Sequence, residues 1–356
     1  MKKIFLHIGT FKTGSTALQF HMHQNKRLLL QKDFYYGDYF DNYYLHSNLC
    51  YGLLKEALVD YGIFKKYENH PRFLNVAEEP ESVVKRIKEN SKEYGKIIIS
   101  CEAFFADAFR TLAGLRVSIP DEENKAVNRF MRMRLRELLS EISEDITIIC
   151  YLRRQDLFIE SQYNQYCKNI WYGDENEELP TFKKFVGYRP VELEYLTVLN
   201  EWQAIFRDAD FIVRPYEKGV SGYDLITDFY VNVLNIKDLR CFECIEENKA
   251  NLRLDRDVLE YKRNLKMYNM RMNHLLKEYS VQLPQIRDYA YWEDDERRIF
   301  MEQYDGQNRQ VAKKFLSPGR EYLFEDVNYT FPQYKGLEKE RIFEITRWLF
   351  DKINAV

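Results

Sequence analysis

Lys3-Ile4-Phe5-Leu6-His7-Ile8-Gly9-Thr10-Phe11-Lys12-Thr13-Gly14-Ser15-Thr16 decides how the chain is read. The apolar run Lys3 to Gly9 predicts a buried strand, and Ser15 to about Gln31 predicts the helix that follows it. Small residues between a strand and a helix let backbone N–H groups converge on an anion, and the helix N-terminus adds partial positive charge. Phosphate binding is the physical expectation. Gly9 and Gly14 have the spacing of the triphosphate loop G-x-x-x-x-G-K-[ST], but Ser15 stands where that loop has lysine, and Lys12 precedes the second glycine. The plainer alternative is a strand-to-helix turn with a Ser or Thr cap.

Working outward, strand-length apolar runs recur with helical segments between them. Lys96 to Cys101 (KIIISC) follows a helical stretch from Glu81 to Glu93, and Ile146 to Leu152 (ITIICYL) follows a charged helix around Asn128 to Ser143. Asp210 to Val213 (DFIV) follows a helix from about Val191 to Phe206, and a weaker strand falls at Phe34 to Tyr36. This alternation predicts an α/β fold with a doubly wound parallel sheet, and continuous Ile, Val and Leu predict strands buried on both faces. After about Asn235 the strand signal fades into helices, including Leu254 to Lys277 and Leu337 to Ile353. The expected division is therefore an α/β core over 1–240 and a mainly helical C-terminal extension over 241–356, packed on that core as one unit.

Lys+Arg number 53 against 56 Asp+Glu, a net charge of −3, and 45% of the 356 residues are hydrophobic. Disorder, collagen and a coiled-coil rod are excluded, and the near-neutral balance argues against a dedicated nucleic-acid binder. An anionic ligand must then be held by a few placed residues. The opening MKKIFLH begins positively, but its apolar run stops at His7 with no cleavage site after it, and no run approaches the roughly 18 apolar residues of a membrane span. The six scattered cysteines are expected to be reduced thiols of a cytoplasmic protein.

No metal is expected. His21 and His23 stand roughly 200° apart around a helix, and Cys241-Phe242-Glu243-Cys244 lacks a second ligand pair. His7 sits mid-strand and is expected to be packed. Aromatics make up 15%, with 27 Tyr and 24 Phe. They are either a compositional bias filling core and surface or platforms for sugar rings or another flat ligand.

The strands from Ile146 and Asp210 run into Arg153-Arg154 and Arg214, not into the acidic residue that would hold Mg²⁺ in a triphosphate enzyme. At this point a resemblance becomes specific. Phe11-Lys12-Thr13-Gly14-Ser15-Thr16 resembles the 5′-phosphosulfate loop of the sulfotransferases, and LHIGTFKTGSTALQ is similar to the opening of bacterial sulfotransferases that modify cell-surface polysaccharides. Tyr151-Leu152-Arg153-Arg154-Gln155-Asp156 through Ser161-Gln162-Tyr163 resembles the family's 3′-phosphate motif, in which a strand ends in Arg and a Ser follows eight residues later. Glu201-Trp202, Val213 to Glu217 and Phe315 to Phe324 are weaker likenesses and carry no functional weight.

The resemblance implies a P-loop nucleotide-kinase-like fold and the donor 3′-phosphoadenosine 5′-phosphosulfate (PAPS), with Lys12, Thr13, Gly14, Ser15, Thr16, Arg153 and Ser161 binding it. Arg154 is the rival for the Arg153 role. Lys12 would stabilise charge on the leaving phosphate oxygen. Glu102, directly after KIIISC, falls where one branch of the family carries its catalytic His, and as a base it would need its pKa raised toward neutrality; its plainer role is a cap or an ion pair. His46 is the second candidate base, since imidazole suits the task near pH 7, although a lone His is commonly a satisfied core or surface residue. The implied acceptor is a hydroxyl or amine of a carbohydrate, a surface glycan or glycolipid. Other readings are a small-molecule or sterol-like acceptor, a nucleotide-dependent kinase and a non-catalytic nucleotide-binding protein.

Overall fold

The computed structural model describes residues 2–39, 44–69, 73, 78–105, 121–169, 180–187, 193–217, 223–243, 254–265, 270–283, 290–325 and 333–354. Five strands form one parallel sheet: β1 (Lys3–Gly9), β2 (Phe34–Tyr35), β3 (Lys96–Ser100), β4 (Ile146–Arg153) and β5 (Asp210–Tyr216). Their order is β2-β3-β1-β4-β5. Every expected strand occurs, the weak one shortened to two residues.

The register pairs Ile4 with Ile97 on one side of β1 and with Ile146 on the other. Alternate residues then serve opposite faces. Ile4, Leu6, Ile8, Ile97, Ile99, Ile148 and Cys150 pack against helices Ser47–Asp60, Pro80–Asn90, Asp121–Ser140 and Tyr195–Ile205 through Leu53, Val83, Leu135 and Trp202. Phe5, Ile98, Ile149 and Tyr151 meet Leu18 and Met22 of α1 (Ser15–Gln24) and Phe229 and Tyr230 of the π-helical turn Asp228–Val233. Truncating any one of these fully buried Leu or Ile side chains to Ala costs about 2–5 kcal/mol. Because α1 covers one face while Asp121–Ser140 and Tyr195–Ile205 cover the other, the chain switches faces at the carboxyl end of β1. Open parallel sheets bind ligands at such a point.

The helix expected to run to Gln31 breaks at Asn25. Its side chain accepts from the Glu243 N–H at 2.9 Å, and a second helix, Lys26–Gln31, starts afterwards.

The chain divides into two compact units, Met1–Arg154 with Pro190–Glu246 and Asp305–Glu325, and Gln155–Arg189 with Glu247–Tyr304 and Asp326–Val356. The composition shift near residue 240 lies close to where the chain leaves the first unit. Residues 155–189 join the later helices, and 305–325 return to the sheet-bearing unit. The first unit contains the whole sheet and both clusters that cover it. Within the second, helices Gln155–Asn169 and Arg256–Leu265 bring together buried Glu160 and Arg256, whose side chains lie 3.4 Å apart, while Arg297 stands 3.6 Å from buried Asp156. Removing one partner of such a buried pair costs about 3–5 kcal/mol. Among the described residues no helix is long and apolar enough to cross a membrane.

Candidate functional site

The loop after β1 is held open by three left-handed residues: Gly9 at φ 102°, Lys12 at φ 66° and Gly14 at φ 78°. For Lys12 that conformation costs about 1–2 kcal/mol, so the surroundings must impose it. They do so from β4. Thr10 donates its backbone N–H and its hydroxyl to the Tyr151 carbonyl at 2.8 and 3.1 Å, Arg153 Nη1 donates to the Lys12 carbonyl at 2.7 Å, and Thr13 Oγ1 donates to the Thr10 carbonyl at 2.7 Å. Thr13 therefore spends its hydroxyl inside the loop.

Gly14 precedes α1 at the N-cap position, where it can offer no side-chain oxygen, and the first turn of α1 carries no acidic residue. The amides of Ser15 and Thr16 thus open α1 with the partial positive charge of a helix start and no acidic side chain of their own turn. A Cβ on Gly14 would be strained at this angle and would come within 2.7 Å of Leu225 Cδ2, displacing that side chain. The Arg153 guanidinium lies 5.7 Å from the Tyr216 ring centroid. Burial pushes the Tyr216 phenol up and the Arg153 charge pulls it back. The structure places Lys12, Thr13, Gly14, Ser15 and Thr16 in one strand-to-helix turn and brings Arg153, at the end of β4, onto it. Arg154 follows it, half-buried.

Arg214 serves elsewhere. Its Nε donates to Asp228 at 3.1 Å, and Asp228 also accepts from the Tyr151 hydroxyl at 2.7 Å and from Asn232 at 2.8 Å. A buried acid thus locks the ends of β4 and β5 together.

Glu102 opens a 3₁₀ turn, Glu102–Phe104, after β3, and β3 is the neighbour of β1. A Cβ on Gly9 would lie 2.8 Å from both Cα and Cβ of Glu102, so the glycine permits the closest backbone approach between the loop and this acid. Gln19 on α1 donates Nε2 to Glu102 Oε2 and to Ser100 Oγ, each at 3.0 Å. Ser100 Oγ in turn meets His7 Nδ1 at 2.8 Å. Burial pushes the His7 imidazole down to about 4, so it is neutral at pH 7. The mid-strand histidine is packed, as its sequence position implied.

His46 is not placed as a base. It is fully buried, its Nδ1 accepts the Ser100 N–H at 3.2 Å, and its Nε2 faces the Gly37 carbonyl at 2.9 Å, a pairing that requires the proton on Nε2. Both ring nitrogens serve the backbone, so the imidazole ties the segment after β2 to the end of β3. Ser161 lies half-buried on helix Gln155–Asn169, in the second unit. Its link to Arg153 remains the eight-residue spacing. His21 is buried and meets the Tyr230 hydroxyl at 3.0 Å, His23 bonds Tyr39, and Cys241 is exposed while Cys244 lies outside the described residues. Cys50, Cys101, Cys150 and Cys167 are buried free thiols.

Sequence reasoning missed Gln19 and Asp228. The available signal for Gln19 was a lone amide between Leu18 and Phe20, one turn beyond Ser15 on the expected helix. Asp228 gave none, because its role depends on Tyr151 of β4 and Arg214 of β5, which only the pairing of those strands brings to it.

No family model matches the chain, and no solved structure matches it. Over 71 residues, 20% of the chain, it is 38% identical to an uncharacterized protein of Archaeoglobus fulgidus. The matched stretch spans 17% of that relative's length.

Proposed function

We propose that the protein is a sulfotransferase that moves a sulfuryl group from PAPS to a carbohydrate hydroxyl, on a P-loop nucleotide-kinase-like core. The observation that carries the reading is the pairing of the Lys12 loop with Arg153, joined at 2.7 Å, with the backbone of Glu102 packed against the same loop at Gly9. The strand order, the left-handed residues and the uncapped start of α1 support an anion cradle.

In this reading the amides from Gly14 to Thr16 and the Lys12 ammonium hold the 5′-phosphosulfate, and the Arg153 guanidinium presents its planar donors to the 3′-phosphate. Ser161 is assigned to the same phosphate by the resemblance alone. Glu102 takes the acceptor's hydroxyl proton as the acceptor oxygen bonds to sulfur. The bond from sulfur to the bridging phosphate oxygen breaks, its electron pair stays on that oxygen, and Lys12 balances the charge that develops there. Gln19 holds the carboxylate in place and is a positioning residue. A small-molecule or sterol-like acceptor would use the same donor chemistry.

One observation favours a second reading. An acid at the end of the strand beside β1 is where a Mg²⁺-dependent kinase holds its metal, and Glu102 stands there. Ser15 in place of the loop lysine counts against it. Transfer of radiolabelled sulfate from PAPS to a glycan mixture in the presence of EDTA separates the two. The sulfotransferase reading expects labelled product with wild-type protein and none with Lys12→Ala. Product formation by Lys12→Ala at the wild-type rate would remove that lysine from the chemistry.

A further inference from the structure

We propose that the amino end of the sheet carries an anion site of its own, which takes a small organic phosphate monoester with an apolar body. The site does not depend on the sulfuryl-transfer reading. β1 runs from Lys3, in the wall of this site, to Gly9, in the loop above, and at 3.3 Å per residue the two ends stand about 20 Å apart. A cavity of about 680 Å³ opens at the Lys3 end, within the first compact unit. Cavities of that size enclose small organic molecules.

The strand register builds its floor. Phe34, Lys96 and Lys3 are successive partners across β2, β3 and β1, and Phe5, Thr147 and Asp210 are successive partners across β1, β4 and β5. Both rows lie on the sheet face that carries Phe5, Phe34 and Ile98. Opposite them stand Lys32 and the segment from Val233 to Asp238. That wall is fixed in place: the Leu234 N–H donates to the Phe229 carbonyl at 2.9 Å and the Ile236 N–H to the Tyr230 carbonyl at 2.7 Å, with Asn235 turning the chain between them at φ 57°.

The charge of the lining is unbalanced. Its two acids are already matched, Asp210 by Lys3 at 3.3 Å and Asp238 by Arg240 at 2.8 Å. The ammonium groups of Lys96 and Lys237 have no hydrogen bond or ion pair among the described residues, and Lys96 rests 4.6 Å from the Phe34 ring centroid instead. Lys32, which feels Asp238 only at longer range, adds a third positive charge. Thr147, in the floor, is 2% exposed and its Oγ1 has no hydrogen-bond partner among the described residues. A buried hydroxyl left so is costly, and a ligand oxygen over its row would relieve it. Three unmatched ammoniums and a hydroxyl suit a dianion with several acceptor oxygens. A phosphate monoester has three such oxygens and a charge of about −1.5 to −2 at pH 7. Ile212, Val233 and Ile236 line the remainder and suit an apolar group on the ester.

The test is calorimetric titration of phenyl phosphate into the full chain, beside benzoate and inorganic phosphate. Phenyl phosphate should bind about tenfold more tightly than either. Lys96→Gln and Lys237→Gln should each weaken it about tenfold and Thr147→Val about threefold, with urea midpoints showing that the variants fold. Lys12→Ala, in the loop at the other end of β1, should still bind it. Affinity unchanged in the three cavity variants, or lost entirely in Lys12→Ala, overturns the site. Benzoate or inorganic phosphate binding as tightly as the ester overturns the assigned ligand.

Discussion

Replacing Gln19 by Leu separates positioning from stability. The amide makes two hydrogen bonds of 3.0 Å, one to the Glu102 carboxylate and one to Ser100. Losing the charged bond costs about 1.5–3 kcal/mol and the neutral one about 1 kcal/mol. Against this, Gln19 is fully buried and its Oε1 has no hydrogen-bond partner among the described residues, a defect of about 1–3 kcal/mol that an isosteric Leu removes. Ser100 Oγ keeps His7, and the half-buried carboxylate can turn to water. Taken at mid-range the terms leave a net loss of about 1 kcal/mol, so urea unfolding should show a slightly lower midpoint and an unchanged slope. The carboxylate, however, loses the donor that aims it. Turnover should fall about 10–100-fold, while the KM for PAPS holds. A loss of more than about 2 kcal/mol of stability with unchanged turnover would refute the reasoning and make Gln19 purely structural.

Further outcomes follow from the same geometry. Arg153→Ala should weaken binding of 3′-phosphoadenosine 5′-phosphate by about 10–100-fold while Arg154→Ala leaves it nearly unchanged, measured by calorimetry; the reverse ranking would move the role to Arg154. His46→Ala strips partners from the buried Ser100 N–H and Gly37 carbonyl, so it should lower the unfolding free energy by about 3 kcal/mol, read from denaturant titration. A neutral effect would mean those groups find other partners. His7 supplies a pH signature. Its folded-state value of about 4 lies below the usual 6.5, so the unfolded chain binds the extra proton between those values and stability rises with pH across that window. About 3 kcal/mol present above pH 6.5 is lost as the pH falls to 4, and His7→Gln should flatten that part of the profile. An identical pH profile in the variant would place the effect on other groups.

The sheet was legible because β1, β3 and β4 are buried on both faces, and a strand covered by helices on both sides shows as an apolar, Ile-rich run in sequence. The loop after β1 was legible because its glycines sit at a strand-to-helix junction, where φ is positive at both. His46 was left open between a base and a satisfied residue for a physical reason, and the structure shows the satisfied residue. An imidazole is chosen as a base from its chemistry, but whether its nitrogens are available depends on Gly37 and Ser100, which only the pairing of chain segments brings to it. Gln19 escaped notice in the same way, since its role needs β3 beside β1. The helix break at Asn25 depends on Glu243, 218 residues away, and the passage of 155–189 into the second unit is set by long-range packing that leaves no mark in composition.

The proposed anion site is built by Lys12, the amides from Gly14 to Thr16, and Arg153 for a bisphosphorylated nucleotide. Its most direct test is calorimetric titration of 3′-phosphoadenosine 5′-phosphate into the protein without divalent metal, beside ATP with and without Mg²⁺. The account predicts tight, metal-free binding of the bisphosphate. Its failure to bind, together with Mg²⁺-dependent binding of ATP, would contradict the account and favour the kinase.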